Sequence, residues 1–194
     1  GESVATRNAC AKVLEAVVDR VPGLDGGGAD RTSNTGTALK GAPVVARGAL
    51  GGRQLFFGVR EHGMGSVMVG MAEGGLLPFG GTFFVFSDYM RPAVRVAALS
   101  GAKVAFVWSH DSIAVGEDGP THQPVEQLAA LRAMPGLRIL RPADANETAA
   151  AWRVHLEGSG PSAIVLSRQN LPVLEGTAAL AGAGVAAGAY VLER

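Results

Sequence analysis

Short apolar runs alternate with segments of helical spacing along most of this chain, and this alternation limits its possible folds more than any other feature. Val104–Trp108 is a continuous apolar run of strand length, and Ala163–Leu166 is similar. Between such runs, Glu61–Glu73 repeats its methionines at helical spacing. Strands that alternate with helices pair in parallel, and the helices cover both faces of the sheet. We therefore predict an α/β fold, a three-layer α/β/α sandwich with a mostly parallel, twisted sheet.

The same pattern predicts the order of the elements. Strands are predicted at 55–57, 76–86, 104–108, 137–140 and 163–166. Helices are predicted at 6–21, 61–73, 89–99, 125–134 and 144–157. Thr6 and Asp144 are predicted as N-caps, and Pro92 is placed in a first helical turn. The glycine-rich segment Asp25–Asp30 is predicted as a loop, and nothing regular is expected between it and Leu55.

The C-terminal end differs in composition from the rest of the chain. Gly176–Gly188 is almost entirely alanine and glycine, which is typical of a linker, and Tyr190–Leu192 is a candidate strand beyond it. We predict one domain at residues 1–172 and an Ala/Gly-rich linker at residues 173–194 that leads toward a further, C-terminal domain.

The composition excludes several classes of function. The chain of 194 residues is 47% hydrophobic and 18% charged, which excludes intrinsic disorder. The 17 basic residues balance the 17 acidic ones, so no basic excess would attract nucleic acid or an anionic membrane. Cys10 is the single cysteine, which excludes an internal disulfide framework and favours a reducing, cytoplasmic location. No apolar run reaches the ~18 residues of a membrane span, and Gly1–Val4 does not resemble a secretory signal.

Polar loops that follow strands are the candidate sites, because ligands of open parallel sheets bind outside the carboxyl ends of the strands. The loop 110–124 follows the clearest strand and combines two histidines with three carboxylates: His110, Asp111, Glu117, Asp118 and His122. A solvated loop rich in turn-forming residues is the alternative explanation. Zinc binding is a further alternative, although the spacing fits none of the usual zinc arrangements.

Three further groups of residues lie near predicted strand ends. Glu61 stands in the first turn of a predicted helix, where a carboxylate also stabilises the helix through its dipole. Phe83, Phe86 and Tyr89 recur every three residues, as core aromatics do, or as side chains that enclose a flat ring. Arg168 follows the last predicted strand and would either bind a phosphate or lie on the surface.

Five motifs occur together in one order: GVREHGM, GGTFFVFSDY, SHDSIAVGEDGPTHQP, RPADANE and LSRQN. With the N-terminal ATRNA and GGGADRTSN, they closely resemble the pyrimidine-binding domain of transketolases, which are thiamine diphosphate-dependent enzymes. The resemblance covers roughly residues 4–172. The GEDGPTHQP loop is specific, because related thiamine diphosphate enzymes carry different residues there.

The resemblance implies roles for individual residues toward the cofactor. Glu61 stands where a catalytic glutamate of the family hydrogen-bonds the aminopyrimidine ring and promotes loss of the thiazolium proton. Phe83, Phe86 and Tyr89 correspond to the aromatic pocket around that ring. Asp30 corresponds to a loop carboxylate near the cofactor.

The resemblance implies further roles toward the substrates, which in this family are sugar phosphates of the pentose phosphate pathway. His110 corresponds to a catalytic histidine near the reacting centre, and Asp118 and His122 correspond to residues that contact substrate hydroxyls. Three residues correspond to positions that hold the substrate phosphate: Arg7, Ser33 and Arg168. The loop Asp30–Ser33 is one residue shorter than is usual in the family.

The resemblance also implies what the chain needs from outside itself. In the family a separate domain with a Gly-Asp-Gly motif grips the diphosphate through Mg²⁺, and this chain contains no such tripeptide. With a diphosphate-binding domain or subunit, and as a homodimer, the chain is expected to transfer a two-carbon ketol unit from a ketose phosphate to an aldose phosphate. Alone it is expected to be inactive. The alternatives are a non-catalytic dimerisation or scaffold domain, a split transketolase-like transferase of a specialised pathway, and a generic small-molecule-binding α/β domain.

Overall fold

A six-stranded parallel sheet forms the centre of the fold, which is described from a computed structural model; the structure describes residues 1–192. Its strands are β2 (Gly26–Gly28), β3 (Gln54–Phe56), β4 (Phe79–Phe83), β5 (Ala105–Ser109), β6 (Arg138–Leu140) and β7 (Ser162–Val165). They lie in the order β3-β2-β4-β5-β7-β6. The helices are α1 (Thr6–Val17), α2 (Thr32–Thr35), α3 (Glu61–Glu73), α4 (Ser87–Ser100), α5 (Gln127–Arg132), α6 (Ala145–Glu157) and α7 (Thr177–Ala187). A separate antiparallel pair joins β1 (Ser3–Val4) to β8 (Leu171–Pro172).

Helices cover both faces of this sheet, so the predicted three-layer α/β/α sandwich is confirmed. On one face, Phe106 and Trp108 of β5 pack in a cluster with Met64 of α3 and Val94 of α4. On the other face, alternate residues of β5 pack in a second cluster with α1 and α6, which includes Trp152. The continuous apolar run of β5 follows from this arrangement, because a strand covered on both faces needs apolar side chains on both.

A glycine strand in the sheet is the clearest departure from the sequence predictions. Gly26–Gly28, predicted as a loop, forms β2 and pairs in parallel with both β3 and β4. The neighbouring strands leave no room for side chains, since a β-carbon on Gly27 would overlap the carbonyl oxygen of Leu55. A similar overlap with Phe79 would arise at Gly26. The loop prediction was wrong because a run of glycines shows no hydropathy pattern, although here it satisfies a packing requirement.

Several helix boundaries differ from the predicted ones. Ala5, and not Thr6, is the N-cap of α1, while the Thr6 hydroxyl accepts a hydrogen bond of 2.7 Å from the amide of Ser167. The helix α4 begins at Ser87, which places Pro92 beyond the first turn. Asp144 caps α6 as predicted, because its carboxylate accepts from the amide of Glu147 at 2.9 Å.

The C-terminal segment predicted as a linker is helical over α7 and is docked on α6. The Thr177 hydroxyl donates to Asp144 Oδ2 at 2.6 Å, and the Tyr190 hydroxyl donates to Glu147 Oε1 at 2.5 Å. Alanine is the best helix former, and such a segment becomes a helix when a surface is available to pack against. The candidate strand at Tyr190–Leu192 does not form, and the last two residues of the predicted linker lie outside the described residues. Within residues 1–192, no helix combines the length and the apolar character that a membrane crossing requires.

Candidate active site

A cavity lies at the carboxyl edge of the parallel sheet, where the loops after β2, β3, β4, β5 and β7 converge. Its volume is about 610 Å³. The predicted site residues that line it are Arg7, Asp30, Glu61, Phe83, Phe86, His110, Asp118, His122 and Arg168. Residues separated by up to 161 positions in the sequence thus meet in one place, because parallel strands bring all their carboxyl ends to one edge.

Two predicted residues do not line the cavity. Ser33 is exposed on the short helix α2, outside the lining. Tyr89 is 66% exposed and stacks on Phe86 with the ring centroids 6.0 Å apart. Tyr89 therefore supports the outer side of Phe86 and does not face the cavity itself.

Aromatic rings form one wall of the cavity. Phe83 ends β4, and its ring lies nearly parallel to that of Phe86, with the centroids 6.1 Å apart and an interplanar angle of 7°. The His110 ring stacks on Phe83 at 3.6 Å. His122 meets Phe86 edge-on at 5.3 Å. This wall presents apolar ring faces with histidine nitrogens beside them, which suits a flat heteroaromatic ligand.

A buried carboxylate lines the same cavity as these rings. The chain leaves β3 through Gly58, whose φ of +67° makes a turn that residues with a β-carbon adopt poorly, and α3 then begins at Glu61. Within residues 1–192, no side chain forms a hydrogen bond or ion pair with the Glu61 carboxylate, although Glu61 is buried. A buried carboxylate usually needs a partner, so Glu61 is available to a ligand.

His110 is buried at the floor of the cavity, with 3% of its surface exposed. Its Nδ1 lies 2.9 Å from the hydroxyl of Ser109. Burial, reinforced by the positive charges of Arg7 and Arg168, lowers the pKa of His110 to about 4, and Asp118 opposes this shift. The imidazole is therefore neutral at pH 7, so one ring nitrogen can donate a hydrogen bond and the other can accept one.

Two arginines give the cavity a positive end. The Arg7 guanidinium donates to the carbonyl of Asn34 at 2.9 Å, and its pKa is lowered by burial and by the nearby charge of Arg168. No carboxylate within residues 1–192 forms an ion pair with either arginine. The contacts between Thr6 and Ser167 join the segments that carry the two arginines. An anion bound between them would relieve their mutual repulsion, and a guanidinium pair of this kind favours a phosphate.

The remaining predicted residues lie at the rim of the cavity. Asp118 is exposed on the loop after β5, and the His122 ring lies 2.8 Å from the hydroxyl of Thr121. Asp30 follows β2 and is exposed beside Arg31 at 3.8 Å. No group of three or more histidine, cysteine or acidic side chains in the described part of the chain is placed to hold a metal ion.

Sequence reasoning missed several lining residues: Arg31, Asn34, Thr35, Val59 and Thr82. Thr82 lies within the GGTFFVFSDY motif next to Phe83, so its position at a strand end was the available signal. Arg31 and Asn34 lie within GGGADRTSN, and Val59 lies within GVREHGM, so for these three residues the motifs were the available signal. Thr35 lies outside the motifs, in a segment for which no element was predicted.

The fold and the cavity define an open, parallel α/β domain, a class in which small-molecule ligands generally bind at the carboxyl edge of the sheet. Residues 2–173 match the family described as "Transketolase, pyrimidine binding domain", and the chain belongs to that family. The generic α/β domain considered at the outset is thereby ruled out.

Relatives and solved structures agree with this assignment. The chain is 58% identical to the transketolase of Halalkalibacterium halodurans and 57% identical to that of Geobacillus stearothermophilus. Each match covers 99% of this chain and 29% of the relative, so the chain spans less than a third of their length. A transketolase from Pichia stipitis in complex with sedoheptulose 7-phosphate superimposes with a TM-score of 0.87 at 44% identity, over 91% of this chain and 27% of that one. A chain described as an inactive β4 tetramer of a split-gene transketolase has a TM-score of 0.73 at 27% identity, over 91% of this chain and 55% of that one.

Proposed function

We propose that this chain supplies the pyrimidine-binding half of a transketolase active site, with thiamine diphosphate held between it and a separate diphosphate-binding domain. In this proposal the enzyme moves a two-carbon ketol unit from a ketose phosphate to an aldose phosphate. The cavity at the carboxyl edge of the sheet carries the proposal, because it combines ring faces, an unpartnered buried carboxylate and two uncompensated arginines.

The residues of the cavity fit the aminopyrimidine end of the cofactor. A flat, polar-edged ring needs an apolar face to stack on and a hydrogen-bond acceptor at its edge, and Phe83, Phe86 and Glu61 offer these. Stacking of this kind contributes about 0.5–1.5 kcal/mol per ring pair beyond the burial of area. When bound, thiamine diphosphate supplies the nucleophilic carbon and the electron sink for cleavage of the carbon–carbon bond. Glu61 holds or returns a proton at the ring edge, and its burial keeps water from competing for that hydrogen bond.

The sugar phosphate occupies the other half of the cavity in this proposal. Arg7 and Arg168 bind the phosphate at the positive end, and their forked guanidinium groups suit its oxygens. Neutral His110 orients a substrate hydroxyl or carbonyl beside the reacting atoms, with Asp118 and His122 placed along the rim for further hydroxyls. Ser33 requires a movement of α2 to reach the phosphate.

The diphosphate and Mg²⁺ are assigned to a partner domain, on the same polypeptide or on another. The chain spans 29% of the length of its transketolase relatives, which supports a further domain as part of the working enzyme. Exposed apolar side chains of β3, of α3 and of the loop between them support a covering surface as well: Phe56, Val59 and Val67. We assign this surface to the diphosphate-binding domain and to the second subunit of a homodimer, in the cytoplasm.

A chimeric enzyme tests the proposal. In it, this chain replaces the matching segment of the Halalkalibacterium halodurans transketolase, to which it is 58% identical. We expect ketol transfer between sugar phosphates, and we expect Glu61→Gln to reduce kcat by about 100-fold or more. Glu73→Gln, at the exposed far end of the same helix, is the matched control and should change little. A folded, dimeric chimera that binds no thiamine diphosphate and transfers no ketol unit would instead support the scaffold alternative.

A further inference from the structure

His110 has a backbone conformation that residues with a β-carbon rarely adopt. It is the one non-glycine residue within 1–192 with a positive φ, at 62°. In this left-handed region the β-carbon of an L-residue crowds the neighbouring backbone, so the conformation persists only where the surroundings hold it. The contacts on either side of His110 are therefore candidates for groups that position it.

On one side, Ser109 and Phe83 fix the imidazole ring. Ser109 is fully buried at the end of β5, and its hydroxyl lies 2.9 Å from Nδ1 of His110. The Phe83 ring stacks on the imidazole at 3.6 Å. These contacts orient the ring, but they do not hold the chain that leaves His110 on its other side.

On that other side, the next residue in the chain, Asp111, is anchored by an arginine that follows a different strand of the sheet. Arg141 donates from Nε at 3.0 Å and from Nη2 at 2.8 Å to the same carboxylate oxygen of Asp111. The Arg141 side chain is 39% exposed and the Asp111 side chain 10% exposed, against 63% and 65% for the surface pair Arg153–Glu157, so this ion pair is less screened than that one. Asp111 follows β5 and Arg141 follows β6, while β7 lies between these two strands in the sheet. The ion pair thus links the carboxyl ends of strands β5 and β6, which are separated in the sheet by strand β7.

We propose that the Asp111–Arg141 ion pair holds His110 in its left-handed conformation, which makes Arg141 a positioning residue for the active site. Arg141 itself does not line the candidate active-site cavity. The inference deepens the proposed function, on which its activity readout rests. Arg153–Glu157 provides a matched control, because it is an exposed ion pair within α6 with a similar distance of 2.8 Å.

The first experiment compares variants of the chimeric enzyme. We expect Arg141→Gln to lower kcat by about 100-fold with a smaller effect on KM, since a displacement of about 1 Å at a reacting centre has that effect. Arg141→Lys keeps the charge without the forked donors and should recover part of the loss. Arg153→Gln should match the unmodified chimera. In a His110→Ala background, Arg141→Gln should cost less than threefold, whereas an equal loss in both backgrounds would overturn the proposal.

The second experiment does not depend on activity. The imidazole of His110 is titrated by NMR in the 194-residue chain and in its Arg141→Gln variant. Arg141 is not among the charges that shift the pKa of His110, so loss of its charge alone should leave that pKa in place. Release of the ring toward solvent would instead raise the pKa of His110 from about 4 toward 6.5.

The outcomes separate the two proposals. If the unmodified chimera lacks ketol transfer, the proposed function fails, and the titration still decides the role of Arg141. If the pKa of His110 is the same in both chains, the ion pair does not position His110 and the inference is wrong. If Arg141→Gln does not fold, Asp111→Asn, which keeps the shape of the side chain and removes its charge, takes its place in both experiments.

Discussion

A buried histidine outside the candidate active site should make the stability of this domain fall in mild acid. His155 lies in the last turn of α6 and is 1% exposed, and neither ring nitrogen has a hydrogen-bond partner within the described residues. Burial lowers the pKa of His155 to about 4, and the positive charges of Lys103 and Arg138 act in the same direction. Protonation is therefore much less favourable in the folded chain than in the unfolded one.

The sign and size of the effect follow from these pKa values. Between pH 6.5 and pH 4 the unfolded chain binds a proton at this position and the folded chain does not, so the free energy of unfolding falls as the pH is lowered. For a shift from 6.5 to about 4, the loss between pH 7.5 and pH 5 is about 2 kcal/mol. His110 has a similar shift and adds a loss of the same sign, so a variant is needed to isolate His155.

Urea unfolding of the chain at pH 7.5 and pH 5 measures the effect. His155→Leu cannot be protonated, and its free energy of unfolding should fall by about 2 kcal/mol less than that of the wild type over this range. His62→Asn is the control, because His62 is exposed on α3, and it should keep the full pH dependence. Equal losses in wild type and His155→Leu would refute the reasoning. Should the leucine variant fail to fold, His155→Gln gives the same comparison.

Other features of the fold lead to further predictions. Gly27→Ala should prevent folding, as judged by circular dichroism, because its β-carbon would overlap the Leu55 carbonyl within the sheet; an unchanged melting temperature would contradict this. Asp144→Ala should lower the free energy of unfolding in urea by about 3 kcal/mol, since the carboxylate caps α6 and accepts from Leu174 and Thr177 at the start of α7. Burial raises the pKa of the Cys10 thiol to about 12, so a thiol reagent should modify it only as fast as the chain unfolds, and rapid modification of the folded chain would be inconsistent with this burial.

Much of the architecture was predictable because hydropathy periodicity reports which faces of an element are buried. The apolar run Val104–Trp108 and the helical pattern of Glu61–Glu73 correspond closely to β5 and α3. Two elements were not predictable for the same reason. The glycines of β2 and the alanines of α7 have no polar face, so their burial is invisible to periodicity.

The candidate site, too, was predictable from the sequence in part. The motifs indicated which residues belong together, and most of them line one cavity, as Glu61, Phe83 and Arg168 show. The directions in which these side chains point could not be predicted from the sequence. Tyr89 follows the same spacing as Phe83 and Phe86 but lies outside the cavity, since the 3-10 turn Phe84–Phe86 leads into α4 and changes the direction of its side chain.

The sequence by itself determined the class of fold, the order of its main elements and the family, because apolar spacing and linear motifs are local properties. Only the tertiary structure decided that three glycines form a strand, that the Ala/Gly-rich segment docks as a helix and that His110 adopts a left-handed backbone beside the Asp111–Arg141 ion pair. These features depend on contacts between residues far apart in sequence. Their free energy comes from close packing and from charges that meet only once the sheet has formed.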